Sequence, residues 1–183
     1  MNDKHLHEET LASQLIFKGH LLEIYSDQVR LPDGSTSTRE YTRHPGAVAL
    51  VPILPDGRIV LIRQYRYPVR KVMIELPAGK LDPGEDYLTA AHRELIEEIG
   101  YSVGRLTLLG EIDPCVGYSD EHMWICLADE LTATENNLDH DEFIELYPVP
   151  LETAVTMATN GTITDVKTII GILWTQRRLS KRR

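Results

Sequence analysis

The stretch from Gly79 to Tyr101 constrains this chain more than any other. Pro83-Gly84-Glu85 opens a helical run that continues to Ile99, and Gly100 is a natural left-handed helix stop. At about 100° per residue, Leu88, His92, Leu95 and Ile99 fall on one side, so His92 reads as core. Glu94 and Glu98 are an i, i+4 pair beside that stripe. Glu97 lies one step further round, four residues after Arg93, where the two can pair. Two carboxylates at this spacing repel each other on a bare helix. Such a pair is either a solvated acidic face or a place where a divalent cation sits between hard oxygens. Magnesium keeps several waters and uses one or two carboxylates plus substrate phosphates. No His or Cys cluster competes for a softer metal.

The rest of the chain mixes strands and helices. Residues 21–31 and 36–43 read as strands around the turn Pro32-Asp33-Gly34-Ser35, a hairpin ahead of the main domain. The first 15 or so residues are polar and expected to be weakly ordered. Further strands are expected at 47–53, 58–65, 72–76, 106–112, 122–127 and 143–147, and helices at 151–160 and 164–179. There is no strict βαβ rhythm, so the expected class is α+β, a mixed-sheet sandwich rather than a doubly wound sheet. A length of 183 residues suits one domain, residues 44–183, with a small extension, residues 1–43.

Acids outnumber bases 28 to 19, for a formal charge of -9, which argues against a nucleic-acid partner held by a basic surface. The apolar runs fall short of the roughly 20 residues a membrane span needs. The first ten residues lack the apolar segment of a secretory signal. The two cysteines, Cys115 and Cys126, form neither a disulfide framework nor a zinc pattern. A cytoplasmic protein is expected.

From Gly79 the spacing is Gly79, five residues, Glu85, seven residues, Arg93-Glu94-Leu95, one residue, Glu97-Glu98, one residue, Gly100-Tyr101. This resembles the Nudix box at every fixed position; only Tyr101 stands where an aliphatic residue is more usual. The flanks resemble the ADP-ribose pyrophosphatase and nucleoside diphosphate sugar hydrolase branch of that superfamily. They include His44-Pro45-Gly46-Ala47-Val48, Arg63-Gln64-Tyr65-Arg66, Glu75-Leu76-Pro77-Ala78-Gly79, Gly117-Tyr118-Ser119-Asp120-Glu121, Asp141-Glu142-Phe143 and Thr164-Asp165-Val166-Lys167-Thr168. One departure is Val116, where ADP-ribose hydrolases often carry proline; it leaves room for other nucleoside diphosphate sugars, GDP-mannose included.

The resemblance implies an α/β/α sandwich with mixed β-sheets and Mg²⁺- or Mn²⁺-dependent hydrolysis of a small-molecule nucleoside diphosphate sugar. By position, Glu94, Glu98 and the backbone carbonyl of Ala78 match metal ligands. Glu97 matches a weaker ligand or orienter, and Arg93 a residue that holds a neighbouring carboxylate. Glu142 matches the acidic-loop residue that serves as general base or late metal ligand, with Asp139, Asp141 and Glu145 as competitors. Arg43 and Arg66 match substrate-binding arginines, Glu75 a hydrogen-bonding partner within the site, and Tyr118 and Asp120 the loop bordering the distal sugar. Glu85 is expected to support the box loop. The resemblance also implies a C2 homodimer through the N-terminal strands, which a lone two-stranded ribbon would favour because it buries little. Three other readings remain: a Nudix hydrolase of another substrate, such as GDP-mannose, a dinucleoside polyphosphate or an oxidised nucleotide; a Nudix-like sensor that binds without cleaving; and an RNA-decapping role, which would want a basic path where only the C-terminal tail is basic.

Overall fold

A computed structural model describes residues 3–135 and 143–181. The chain divides into two compact units, Met1–Pro45 with Cys115–His122, and Gly46–Pro114 with Met123–Arg183.

In the first unit, β1 (Glu9–Lys18), β2 (Glu23–Arg30) and β3 (Thr36–Arg43) form an antiparallel sheet in that order. The β2–β3 hairpin turns where the sequence predicts. Gly34 takes a φ of 87°, and Asp33 Oδ1 accepts the Ser35 N–H at 2.9 Å. The polar N-terminal residues, expected to be weakly ordered, instead contain β1. It pairs with β2 from Glu9↔Arg30 to Lys18↔Glu23. Every β1 residue is exposed. A ladder needs only backbone partners, so a strand can form without the buried apolar face that would announce it. The cross-strand ion pair of Arg30 with Glu9 adds to it, and Arg39 of β3 reaches Glu8, just before β1.

The second unit holds two sheets. One has the order β7 (Ala78–Lys80), β4 (Ala47–Pro52), β9 (Met123–Ala133), β8 (Tyr101–Ile112); the other is β10 (Ile144–Pro150), β5 (Arg58–Arg66), β6 (Lys71–Glu75). β4 and β9 are parallel and the remaining pairs antiparallel. All six β4 residues are buried, which explains their unbroken apolar run: a central strand covered on both faces needs no polar side. Ala47, Ala49 and Val51 pack with Ala154, Met157, Ala158 and Ile172 of α2 (Leu151–Thr159) and α3 (Val166–Ser180). Val48 and Leu50 point the other way, onto Ala90, Ala91, Leu95 and Ile99 of α1 (Tyr87–Ile99). Helices therefore cover both faces, and the α+β expectation holds. The short β7, expected as loop, pairs Ala47↔Lys80 and Ala49↔Ala78 at the edge of β4. No helix among the described residues is long and apolar enough to cross a membrane.

Candidate active site

α1 starts at Asp86, whose carboxylate accepts the N–H groups of Leu88 and Thr89, and ends at Gly100 with φ 69°. Its buried face differs from the expected one. Leu88 and His92 are exposed, so His92 is not a core residue. The buried set is Ala90, Ala91, Glu94, Leu95, Glu98 and Ile99. At 100° per residue that arc is turned by roughly 80° toward the glutamates. Two alanines let the helix approach the sheet, and Glu94 and Glu98, 7% and 4% exposed, turn in with them. The pair is not a solvated face.

Burying carboxylates this deeply requires partners. The Ala78 N–H donates to Glu98 Oε2 at 3.0 Å. Gly79 makes room for Glu94: a Cβ there would lie 1.8 Å from Glu94 Oε1. Arg93 spends all five of its N–H groups locally. Nη1 donates to Glu94 Oε1 at 2.6 Å and Glu97 Oε2 at 3.0 Å. Nε and Nη2 fork onto Glu85 at 3.1 and 2.9 Å, and Nη2 also reaches the Lys80 carbonyl at 3.0 Å. The Glu85 carboxylate above all, with Glu94 and Glu97, raises the guanidinium above its already high value. Glu85 in turn accepts the Asp82 N–H at 2.9 Å, closing the loop before the helix.

A second network lies where β5, β6 and α3 begin or end. Glu75, 2% exposed, receives a fork from Arg66, Nε to Oε1 at 2.8 Å and Nη2 to Oε2 at 2.9 Å. Lys167 Nζ donates to the same Oε2 at 2.5 Å and pairs with Asp165 Oδ2 at 3.0 Å. Burial pushes the Glu75 carboxyl up, but Arg66 and Lys167 overcome it and hold it below the usual carboxylate range. Arg66, held charged chiefly by Glu75, also feels the charge of Glu98, which ties this network to the helix carboxylates. The sequence pattern alone assigns no role to Lys167 or Asp165. Asp165 caps α3 by accepting the Thr168 N–H at 3.0 Å, a signal a capping search would find. The Lys167–Glu75 pair has no local signal.

The second unit thus brings together Arg66, Glu75, Ala78, Arg93, Glu94, Glu97 and Glu98. The first unit gathers Arg43, Tyr118 and Asp120. Arg43 lies 4.0 Å over the Tyr25 ring, Asp120 Oδ1 accepts the His44 N–H at 2.8 Å, and the Tyr118 carbonyl accepts the Thr42 N–H at 2.9 Å. Tyr118 and Asp120 border a cavity of about 220 Å³. The Tyr118 hydroxyl donates to Cys115 Sγ at 3.4 Å. Glu145 pairs with Arg63 at 2.8 Å. Glu142, with Asp139 and Asp141, lies outside the described residues. Among the described residues no three His, Cys, Asp or Glu side chains form a ready metal-holding group.

The family model of the NUDIX domain matches residues 42–169, and that of the nucleoside diphosphate sugar hydrolase N-terminal domain matches residues 8–42. The chain belongs to the Nudix family. This Nudix hydrolase is 39% identical over 175 residues to an ADP-ribose pyrophosphatase of Bacillus subtilis, covering 94% of this chain and 95% of the relative. It is 40% identical over 171 residues to a methanol dehydrogenase activator of Bacillus methanolicus, covering 92% of each. A crystal structure of an ADP compounds hydrolase superimposes with a TM-score of 0.87 at 24% identity, covering 97% of both chains, which shows the shared Nudix fold. Nudix hydrolases generally use divalent metal ions.

Proposed function

We propose that this Nudix hydrolase cleaves the diphosphate bond of ADP-ribose and related nucleoside diphosphate sugars, with Mg²⁺ or Mn²⁺, to give a nucleoside monophosphate and a sugar phosphate. The observation that carries the reading is the junction of two opposite networks in one unit. Buried glutamates on α1 suit a cation, and Arg66, within the field of Glu98, suits a diphosphate. The relatives named as ADP-ribose pyrophosphatases support the choice of substrate class.

The residues fit a hard divalent ion: the donors are carboxylate oxygens, and Gly79 leaves the space that the Glu94 carboxylate occupies. Glu94, Glu98 and the Ala78 carbonyl would hold it. Such an ion, when bound, neutralises charge on the diphosphate and acidifies a water. Arg93 fixes Glu94 and Glu97 from the helix side. Arg66 commits Nε and Nη2 to Glu75, and its Nη1 donates to nothing among the described residues. That edge can donate to a phosphate oxygen. Glu142 is the proposed general base, taking the proton of the attacking water. Arg43, Tyr118 and Asp120 are the first unit's candidate substrate contacts, and Arg43 can offer its guanidinium plane to a base as it does to Tyr25.

Residues 1–43 are proposed to form the contact of a C2 homodimer. The exposed Leu15, Ile16 and Phe17 of β1 support this; a monomer by light scattering at micromolar concentration would count against it. A cytoplasmic location is proposed from the two free cysteines, Cys115 and Cys126, and the lack of a nucleic-acid partner from the -9 charge.

The deciding experiment is initial rates with Mg²⁺ on ADP-ribose, GDP-mannose, ADP-glucose, a diadenosine polyphosphate and NADH, with products identified by chromatography. Dominant kcat/KM for ADP-ribose, yielding AMP, is expected. Comparable rates on several sugars would replace it with a general nucleoside diphosphate sugar hydrolase, the reading for which Val116 leaves room. Tight binding without turnover would make the protein a sensor.

A further inference from the structure

Lys167 is a buried cation that the proposed chemistry does not use. It is 8% exposed, sits in the first turn of α3, and donates to Glu75 Oε2 at 2.5 Å and pairs with Asp165 Oδ2 at 3.0 Å. An isolated buried ammonium is costly, and a simple helix staple would not need one. Its position matters because Glu75 is the sole carboxylate in the Arg66 fork. Arg66 enters that fork from the end of β5 with a side chain still 41% exposed. The Arg66 guanidinium therefore has one edge tied to a carboxylate and one edge in solvent. The edge that faces solvent depends on where Glu75 points. Among the described residues, the contact that holds the Glu75 carboxylate besides the Arg66 fork itself comes from Lys167, at Oε2.

Asp165 completes the set. It caps α3 through the Thr168 N–H, and the Thr168 hydroxyl donates to it at 2.5 Å while accepting the Leu76 N–H at 2.7 Å. The residue next to Glu75 is thus tied to the same helix turn. Two bases and two acids balance, so the set contributes orientation rather than net field.

We infer that Lys167 is a positioning residue: it fixes the Glu75 carboxylate from α3 and so sets the orientation in which Arg66 meets the substrate diphosphate. This rests on the substrate role of Arg66 proposed above.

The test is a double-mutant cycle of Lys167→Gln and Arg66→Gln, with kcat and KM measured on the fastest substrate of the panel and thermal melting measured on each variant. Lys167→Gln is expected to raise KM about tenfold, the lower end of what loss of an outer supporting partner costs, with kcat kept within about threefold. In the Arg66→Gln background it is expected to add nothing to KM. Lys167→Arg, which keeps the charge and a donor, is expected to recover most of the KM. If Lys167→Gln lowers melting but leaves KM alone while Arg66→Gln raises KM, Lys167 is only a staple and the inference falls, with the substrate role of Arg66 intact. Equal KM increases in both backgrounds would also overturn it. If Arg66→Gln leaves KM unchanged, both the role of Arg66 and the inference fail. Should Lys167→Gln not fold, the cycle is run with Lys167→Met, which keeps the apolar stem, and the same outcomes decide.

Discussion

The two networks of the second unit are charge inversions of each other. Around Arg93 one cation serves three carboxylates, Glu85, Glu94 and Glu97. Around Glu75 one carboxylate serves two cations, Arg66 and Lys167. The first leaves acid in excess, with Glu98 buried beside it and accepting the Ala78 N–H. The second leaves a guanidinium edge in solvent. A cation and an anion bound side by side need this contrast, because each environment alone would repel half of a metal–diphosphate pair. The lesson is that an active site can be read by asking which charge is the hub and which is the rim.

The largest expected effect comes from removing a rim acid on the metal side. Glu98→Gln should lower turnover by more than about 100-fold, beyond the usual cost of losing an outer-shell partner, with little change in melting. Rates at saturating Mg²⁺ together with a melting curve decide it, and a near wild-type rate would remove Glu98 from the site. Next comes the hub. Arg93→Lys keeps a charge but not five N–H groups in a fork. It should cost about 10–100-fold in kcat and weaken metal activation, seen as a higher metal concentration for half-maximal rate. If Arg93→Lys is silent, the hub is ornamental and the contrast loses one side.

Gly79→Ala sharpens the comparison without touching any charge. The new Cβ would meet Glu94 Oε1 at 1.8 Å, so the carboxylate or the box loop must shift. Activity should fall about tenfold or more, as for other losses of supporting geometry, while Arg66-dependent KM stays level. Unchanged metal dependence in this variant would show that the loop yields and Glu94 does not.

The acidic side of this contrast was legible in the sequence because it is local: a turn, a helix stop and glutamates at helical spacing all lie within one run of residues. The orientation of α1 was less so, since apolar periodicity gives no weight to Ala90 and Ala91 and counts Glu94 and Glu98 as outward, whereas backbone donors and Arg93 let them turn in. β1 carries no buried apolar face that a sequence pattern could reveal, because a backbone ladder can hold an exposed strand. On the arginine side, the family resemblance points to Arg66 and Glu75, but Lys167 meets Glu75 across 92 residues, and no short-range pattern encodes that meeting.

The smallest effect separates the two networks by pH. Glu75 is a carboxylate whose folded pKa lies below its unfolded value, because Arg66 and Lys167 outweigh the upward push of burial. Its contribution to stability is therefore full above the unfolded carboxylate pKa of about 4 and is lost as pH falls through the depressed folded value. Glu75→Gln should be destabilising at pH 7, since it leaves Lys167 and Arg66 without their shared anion. The gap between wild type and variant should then start to narrow as pH falls below about 4 and close once pH is below the depressed folded value. Melting temperature measured against pH reads this directly; roughly 2–4 °C per kcal/mol is the scale for a chain of this size. A gap that stayed constant to the acid limit would mean that Glu75 acts through packing and not through its charge, and the carboxylate hub would no longer be the counterpart of Arg93.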